Sequence, residues 1–438
     1  MMHLFWPVLI EQALAITIGV VSAIMVAGVG DFAVSGVTLV DTFNFMIVAV
    51  FTALAVGATV VVAQKIGANE VSEAGETAFQ AIILSVLISA ILGVVVMIFG
   101  DNILRALYAG ADENVHEAMS TYFFFSGISY PFVGLFAACT GVMRAGGNTR
   151  TPMIISAIAN VLNIVIAFVL IQLDFGVFGV SAAMLIARAV SGVLAYVVVR
   201  KGVYGFALPG GKFRLTSKIL KSILEVGLPS GVDALIFNGA RVVMTVFMSG
   251  MGTAALHAHA IANSLSSFMF LPGSALGIVA VTMVGQAYGA RLFAKVRMLM
   301  IKICIFASAG HAFMTVLVFL FMSPLVHLYN PSPETAELAY RLVIALAILS
   351  PIAWAYSFCL PQMLRACGDA KATMYVSICS LLILRIVGAW FFGIYLEWGV
   401  FGVWVGMFID WFGRSIGFGV RAFSNAWHGG KKPVDEAA

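Results

Sequence analysis

Four carboxylates lie inside otherwise apolar stretches of this sequence, Glu11, Asp41, Asp233 and Asp410, and three arginines lie equally far inside, Arg188, Arg241 and Arg385, with Arg414 shallower. An ionisable side chain held in an apolar segment is costly, so it faces an interior or a water-filled cavity where it can bind a proton, an ion or a charged solute. Glu11 and Asp233 each stand four residues after a proline, Pro7 and Pro229. Each suits proton or Na⁺ binding or contact with a cationic solute; each also suits capping of backbone groups freed by the proline, or pairing with a neighbouring base. Arg241 follows Asp233 by eight residues, about two turns along one helix face. The two can therefore line one cavity, the alternative being that Arg241 serves a permanent ion pair.

Asp41 is expected one turn into its apolar stretch. With Asn44, Asn160 and Asn163 as neutral oxygen ligands it would form a site for a hard cation such as Na⁺. The plainer reading of the asparagines is hydrogen bonding between helices. Arg385 and Asp410 read as a structural pair. Gln64 and Gln286, each followed by Gly three residues on, read as hydrogen-bonding groups at helix ends beside a tight turn. His257, His259 and His311 are candidates for a proton relay because histidine as a residue type changes charge near neutral pH, but the sequence supplies no evident carboxylate partner for one.

The elements that must hold these groups follow from composition. The chain has 438 residues, 62% apolar and 10% charged, with a mean hydropathy of +1.05, whereas soluble domains are about one quarter charged. Lipid is the solvent, which excludes a water-soluble enzyme and a single-anchor receptor. Apolar runs fall at about 5–29, 34–62, 77–99, 119–143, 153–172, 176–199, 224–248, 254–286, 299–322, 339–362, 374–394 and 399–421, each long enough to cross a bilayer core. An even count puts both termini on one side. With the termini cytoplasmic, eighteen Lys and Arg gather on that side and only Arg105 and Arg341 on the other, in keeping with the positive-inside rule. The net charge of +4 thus reports topology and not nucleic-acid binding. The N-terminus shows neither a basic n-region nor an A-x-A cleavage site, so no removable signal peptide is read. Five cysteines lie in or beside the apolar runs without C-x-x-C spacing and read as buried, inert thiols. Most of the 21 Met and 34 Phe read as packing or lipid-facing residues.

The chain also repeats itself. Pro7 falls on Pro229, Glu11 on Asp233, Gly28 and Gly30 on Gly250 and Gly252, Asp41 on Asn263, and Gln64…Gly67-Ala68 on Gln286…Gly289-Ala290. After a one-residue slip, Arg144-Ala-Gly-Gly147-Asn148 matches Arg365-Ala-Cys-Gly368-Asp369, and Gly176-Val-Phe-Gly179 recurs as Gly399-Val-Phe-Gly402. Six spans per repeat make the halves parallel, an arrangement of transporters that work by alternating access. The expected organisation is a lobe at 1–199, a basic linker at 200–223 on the cytoplasmic face, a second lobe at 224–421 and a polar tail at 422–438. Asp41 against the neutral Asn263 breaks the symmetry as one cation site in one half would.

These residues resemble the multidrug and toxic compound extrusion (MATE) transporters of the polysaccharide-flippase superfamily over nearly the whole chain. The resemblance rests on the prolines opening spans one and seven, Ala63-Gln64…Gly67-Ala68, Arg144…Thr151-Pro152-Met153, Asn160-x-x-Asn163 and Val284-Gly285-Gln286…Gly289. It implies antiport of Na⁺ or H⁺ against amphipathic, often cationic, compounds. Three positions depart from the family: its span-one carboxylate would fall near Ser22, its span-five carboxylate at Ala167, and the span-seven acid of another branch near Phe237.

No Walker A motif, H-E-x-x-H or close acid pair is present. The expectation is an all-α polytopic membrane protein of about 12 transmembrane helices in two parallel pseudo-symmetric six-helix lobes. It would be no enzyme but a monomeric plasma-membrane antiporter of small organic solutes, needing no cofactor beyond the coupling ion. The alternatives are a flippase for lipid-linked headgroups in the same superfamily and, from another class, an intramembrane enzyme.

Overall fold

The computed structural model describes residues 1–202, 216–424 and 426–429, and within them the chain is helical with no strand. The first six helices are α1 (Met2–Ala27), α2 (Asp31–Gly67), α3 (Val71–Leu107), α4 (Glu113–Ala145), α5 (Arg150–Gln172) and α6 (Gly176–Arg200). The repeat continues with α7 (Ser217–Ser249), α8 (Thr253–Gly289), α9 (Phe293–Leu320), the short α10 (Met322–His327), α11 (Pro333–Ala366), α12 (Ala370–Tyr395) and α13 (Gly399–Phe423). Among the described residues eleven helices are long and apolar enough to span a membrane. The expected twelfth, α13, is a helix of 25 residues whose Asp410 and Arg414 lower its apolarity.

The chain divides into two compact units, Met1–Gly231 and Val232–Ala438. The expected linker at 200–223 needs revision at its end, because α7 begins at Ser217; residues 203–215 lie outside the described residues. The first half of α7 packs on α2 in the first unit, so closely that a Cβ on Gly57 would stand 2.6 Å from the Ile223 carbonyl oxygen. Thr216 N–H also donates to Gln80 Oε1 at 3.0 Å. The tail, expected to be polar throughout, turns back in its described part. Trp427 is buried against Phe293, and its indole N–H donates to the Ala422 carbonyl at 2.9 Å.

Helices without a hydrophobic drive toward one another associate where small residues allow close approach. In the first unit a Cβ on Gly134 of α4 would lie 2.3 Å from Ser89 Oγ of α3, and in the second a Cβ on Gly406 of α13 would lie 2.5 Å from Ala389 N of α12. Either glycine replaced by a larger residue would force its helix pair apart.

The repeated Arg-Ala-x-Gly segments are helix ends. At the end of α4, Asn148 N–H donates to Met143 O at 3.0 Å and Gly147 N–H to Arg144 O at 2.8 Å; at the end of α11, Asp369 N–H donates to Leu364 O at 3.1 Å and Gly368 N–H to Arg365 O at 2.8 Å. This is the Schellman pattern, which needs a left-handed residue. Gly147 and Gly368 supply it at φ 82° and 86°. The motif thereby fixes an arginine in the last turn of each helix. After Gln64 and Gln286 the same turn occurs, but Asn69 and Arg291 take the left-handed position, while Gly67 and Gly289 stay helical.

Candidate functional site

In the first unit α1, α2, α4, α5 and α6 surround a cavity of about 520 Å³. It brings together Asp41 and Asn44 from α2 with Asn160 and Asn163 from α5, the four residues expected to form a cation site in the first half. Because α2 begins at Asp31, Asp41 stands about 15 Å along the helix axis, deeper than the expected first turn. Ser22 and Ala167, where the family carboxylates would fall, also line the cavity. Asp41 is thus the one carboxylate among its described lining residues.

The α2 acid sits in a network supplied by α4. Asp41 Oδ1 accepts from Tyr122 O–H at 3.1 Å and from Asn44 Nδ2 at 3.1 Å. Asn44 Nδ2 also donates to Ser126 Oγ at 3.2 Å, and Asn44 Oδ1 accepts from the buried Tyr130 O–H at 2.7 Å. Beyond it, Arg188 Nη1 of α6 donates to Ser129 Oγ at 2.8 Å. Sequence reasoning did not connect Tyr122, Ser126, Ser129, Tyr130 and Arg188 to Asp41. The signal was available, since the four α4 residues recur at helical spacing along one face.

A proton on Asp41 or an alkali cation beside it both suit this chemistry. The carboxylate keeps Oδ2 available, and Asn44, Asn160 and Asn163 carry amide oxygens of the kind hard cations take. Among the described residues no group of three or more His, Cys, Asp or Glu could hold a metal ion, so such a site would depend on one carboxylate and neutral oxygens.

Glu11 and Asp233 are not among this cavity's lining residues; each is held by an arginine of its own unit. Arg144 Nη2 donates to Glu11 Oε1 at 2.7 Å and to Oε2 at 2.8 Å, and Arg365 Nη2 donates to Asp233 Oδ2. Both carboxylates are buried, at 8% and 7% exposure. The partner of Asp233 is therefore Arg365 and not Arg241. Arg241, expected to line one cavity with Asp233 or to serve a permanent ion pair, is exposed and makes no ion pair among the described residues. Its position in α7 is separated from Asp233 by two turns, whereas Arg365 is delivered by the α11 cap.

The remaining polar residues are not among the cavity's lining residues. Asn263 on α8 is half-buried, and its carbonyl accepts from Ser266 and Ser267. Gln64 and Gln286 accept from the Ala68 and Ala290 N–H groups through their carbonyls, as helix-end residues do. Arg385 Nη1 lies 3.7 Å from Asp410 Oδ2, a charge contact too long for a hydrogen bond. Asp410 Oδ1 instead accepts from Ser380 Oγ at 2.6 Å. A π-helical stretch of α12, Ser380–Val387, carries both Ser380 and Arg385. Arg414 stacks on Phe358 at 5.0 Å. His311 meets Ser350 at 2.8 Å, and His259 accepts from the Trp404 indole N–H at 3.1 Å.

Repeated six-helix segments, membrane-spanning helices and a largely apolar cavity that holds a carboxylate and an arginine within one unit define a polytopic membrane transporter. The MatE family model matches residues 7–169 and again residues 229–391, two copies in the register of the internal repeat, and the chain belongs to this family. It is 27% identical over 429 residues to the uncharacterized transporter YisQ of Bacillus subtilis, covering 97% of this chain and 94% of that protein. To the probable multidrug resistance protein NorM of Thermotoga maritima it is 24% identical, covering 93% of this chain and 88% of that protein. The structure of an outward-facing multidrug resistance MATE family transporter of the MOP superfamily superposes with a TM-score of 0.88 at 22% identity, covering 96% and 93%. The fold class expected from the sequence stands, and the chain is a transporter and not an enzyme.

Proposed function

We propose that this protein is a secondary antiporter that exports small organic, amphipathic or cationic compounds in exchange for H⁺ or Na⁺, by alternating access between its two repeats. The observation that carries the reading is the convergence of Asp41, Asn44, Asn160 and Asn163 on one cavity. A proton or Na⁺ that neutralises Asp41 removes the charge that retains a cationic group, and a cationic solute displaces the ion in turn. Such competition at one carboxylate couples two fluxes without ATP, and the coupling strength equals the differential affinity of the two forms. The carboxylates of the ion pairs with Arg144 and Arg365 are engaged by bases, which leaves Asp41 the better coupling group. The protein would act as a monomer in the plasma membrane with cytoplasmic termini.

The test uses inverted vesicles containing the full chain. An imposed H⁺ or Na⁺ gradient should drive uptake of a cationic amphipathic dye, and Asp41→Asn should abolish it at equal protein level. Absence of uptake under either gradient would contradict the antiport reading.

A further inference from the structure

The cavity of the first unit carries two charges of opposite sign among its described lining residues, Asp41 and Arg188. Among the described residues neither makes an ion pair, with the other or with a third group. Arg188 donates one hydrogen bond, from Nη1 to Ser129, and a guanidinium has five N–H donors, so most of its fork remains for a ligand. Asp41 uses Oδ1 for Tyr122 and Asn44 and keeps Oδ2. The rest of the lining is largely apolar and adaptable, with Val26, Val37, Phe45, Val48, Phe136 and Met184 on the cavity. The positions where a second or third carboxylate would tip the balance hold Ser22 and Ala167.

A ligand that fills such a cavity strips water from both charged groups. A simple cation answers Asp41 but covers Arg188 without a counter-charge, and a simple anion does the reverse. Either leaves one of the two half-buried charges covered without a counter-charge, so it binds less tightly than a ligand that answers both. Resting on the reading of this cavity as the organic-solute site, we infer that its preferred ligands are amphipathic zwitterions. The cationic group faces Asp41, and the carboxylate or similar anionic group is bound by the Arg188 fork, which suits planar oxyanions. Arg188 is then the specificity-determining residue.

The test measures equilibrium binding by fluorescence anisotropy to the purified full chain in nanodiscs, corrected against empty nanodiscs. The probes share one ring system: rhodamine B, a zwitterion; its methyl ester, a cation; and fluorescein, an anion. Rhodamine B should bind about tenfold or more tightly than the ester, the worth of one charge-assisted contact, and more tightly than fluorescein. Arg188→Gln should weaken rhodamine B at least about fivefold more than it weakens the ester, and Arg188→Lys should restore part of the difference. An ester that binds the wild type as tightly as rhodamine B overturns this inference alone. Equal loss of both probes in Arg188→Gln also overturns it, since that is the result of a purely structural contact with Ser129. If neither rhodamine binds the wild type, the solute-site reading fails together with the inference.

Discussion

Arg365, fixed in the last turn of α11, donates to the buried Asp233 of α7, and Arg144 at the end of α4 holds Glu11 of α1 in the same way. The two pairs are repeat mates, each placed by a Schellman turn with a left-handed glycine. They join the first spanning helix of each repeat to its fourth, the short α10 not counted. Breaking a buried pair from one side leaves an uncompensated charge, and the cost is about 3–5 kcal/mol.

Arg365→Met should therefore lower thermal stability in detergent by several degrees, and the Asp233→Asn/Arg365→Met double variant should recover most of the loss. Arg144→Met should cost less, because Arg144 retains 20% side-chain exposure. The check is the melting temperature of each variant and its double-mutant cycle. Equal stability of Arg365→Met and the wild type would show that the pair contributes nothing.

Gly368 at φ 86° should tolerate no β-branched residue. Gly368→Val should destabilise by about 1–2 kcal/mol or more from the left-handed backbone alone, and Gly147→Val should behave alike. Gly110, which meets no neighbour within 4 Å and has an ordinary φ, is the control and should lose little on substitution by Ala. Circular dichroism melts distinguish the three.

Most of the architecture was legible because it depends on chemistry the sequence carries directly. Apolar run length sets the helices, and the recurrence of Pro, Gln, Arg and Gly sets the repeat. Less legible were groups whose partners come from distant segments. Arg241 shares a helix with Asp233 and so suggested itself, yet Arg365 is the partner because the α11 cap brings it across. The α4 face of Tyr122, Ser126 and Tyr130 is legible as helical spacing, but its partner Asp41 on α2 lies some eighty residues away in sequence and no local pattern links the two. Helix starts were also misplaced: α2 begins earlier than its apolar run, which sets Asp41 deeper, and α7 begins within the expected linker.

Ala167→Asp should add a second carboxylate to the cavity beside Asp41. The expected result is tighter binding of the rhodamine B ester, by about threefold to tenfold, and weaker binding of fluorescein. Fluorescence anisotropy on the folded variant provides the check, and unchanged affinity for both dyes would place the bound solute away from α5.

Tyr130→Phe removes the bond that orients Asn44 and leaves a buried amide oxygen without its donor, at a cost of about 1–3 kcal/mol. Transport should become slower while the gradient dependence persists, because Asp41 itself is retained. Initial uptake rates at a series of gradients measure the separation.

The central claim is that Asp41 exchanges a coupling ion for an organic solute. Proteoliposomes at equilibrium, with no imposed gradient, test it most directly: a pulse of cationic dye on one side should move H⁺ or Na⁺ in the opposite direction, read by an internal pH or Na⁺ indicator. The account expects counterflow from the wild type and none from Asp41→Asn reconstituted at equal density. Dye entry without ion counterflow, or unchanged counterflow in Asp41→Asn, would contradict it.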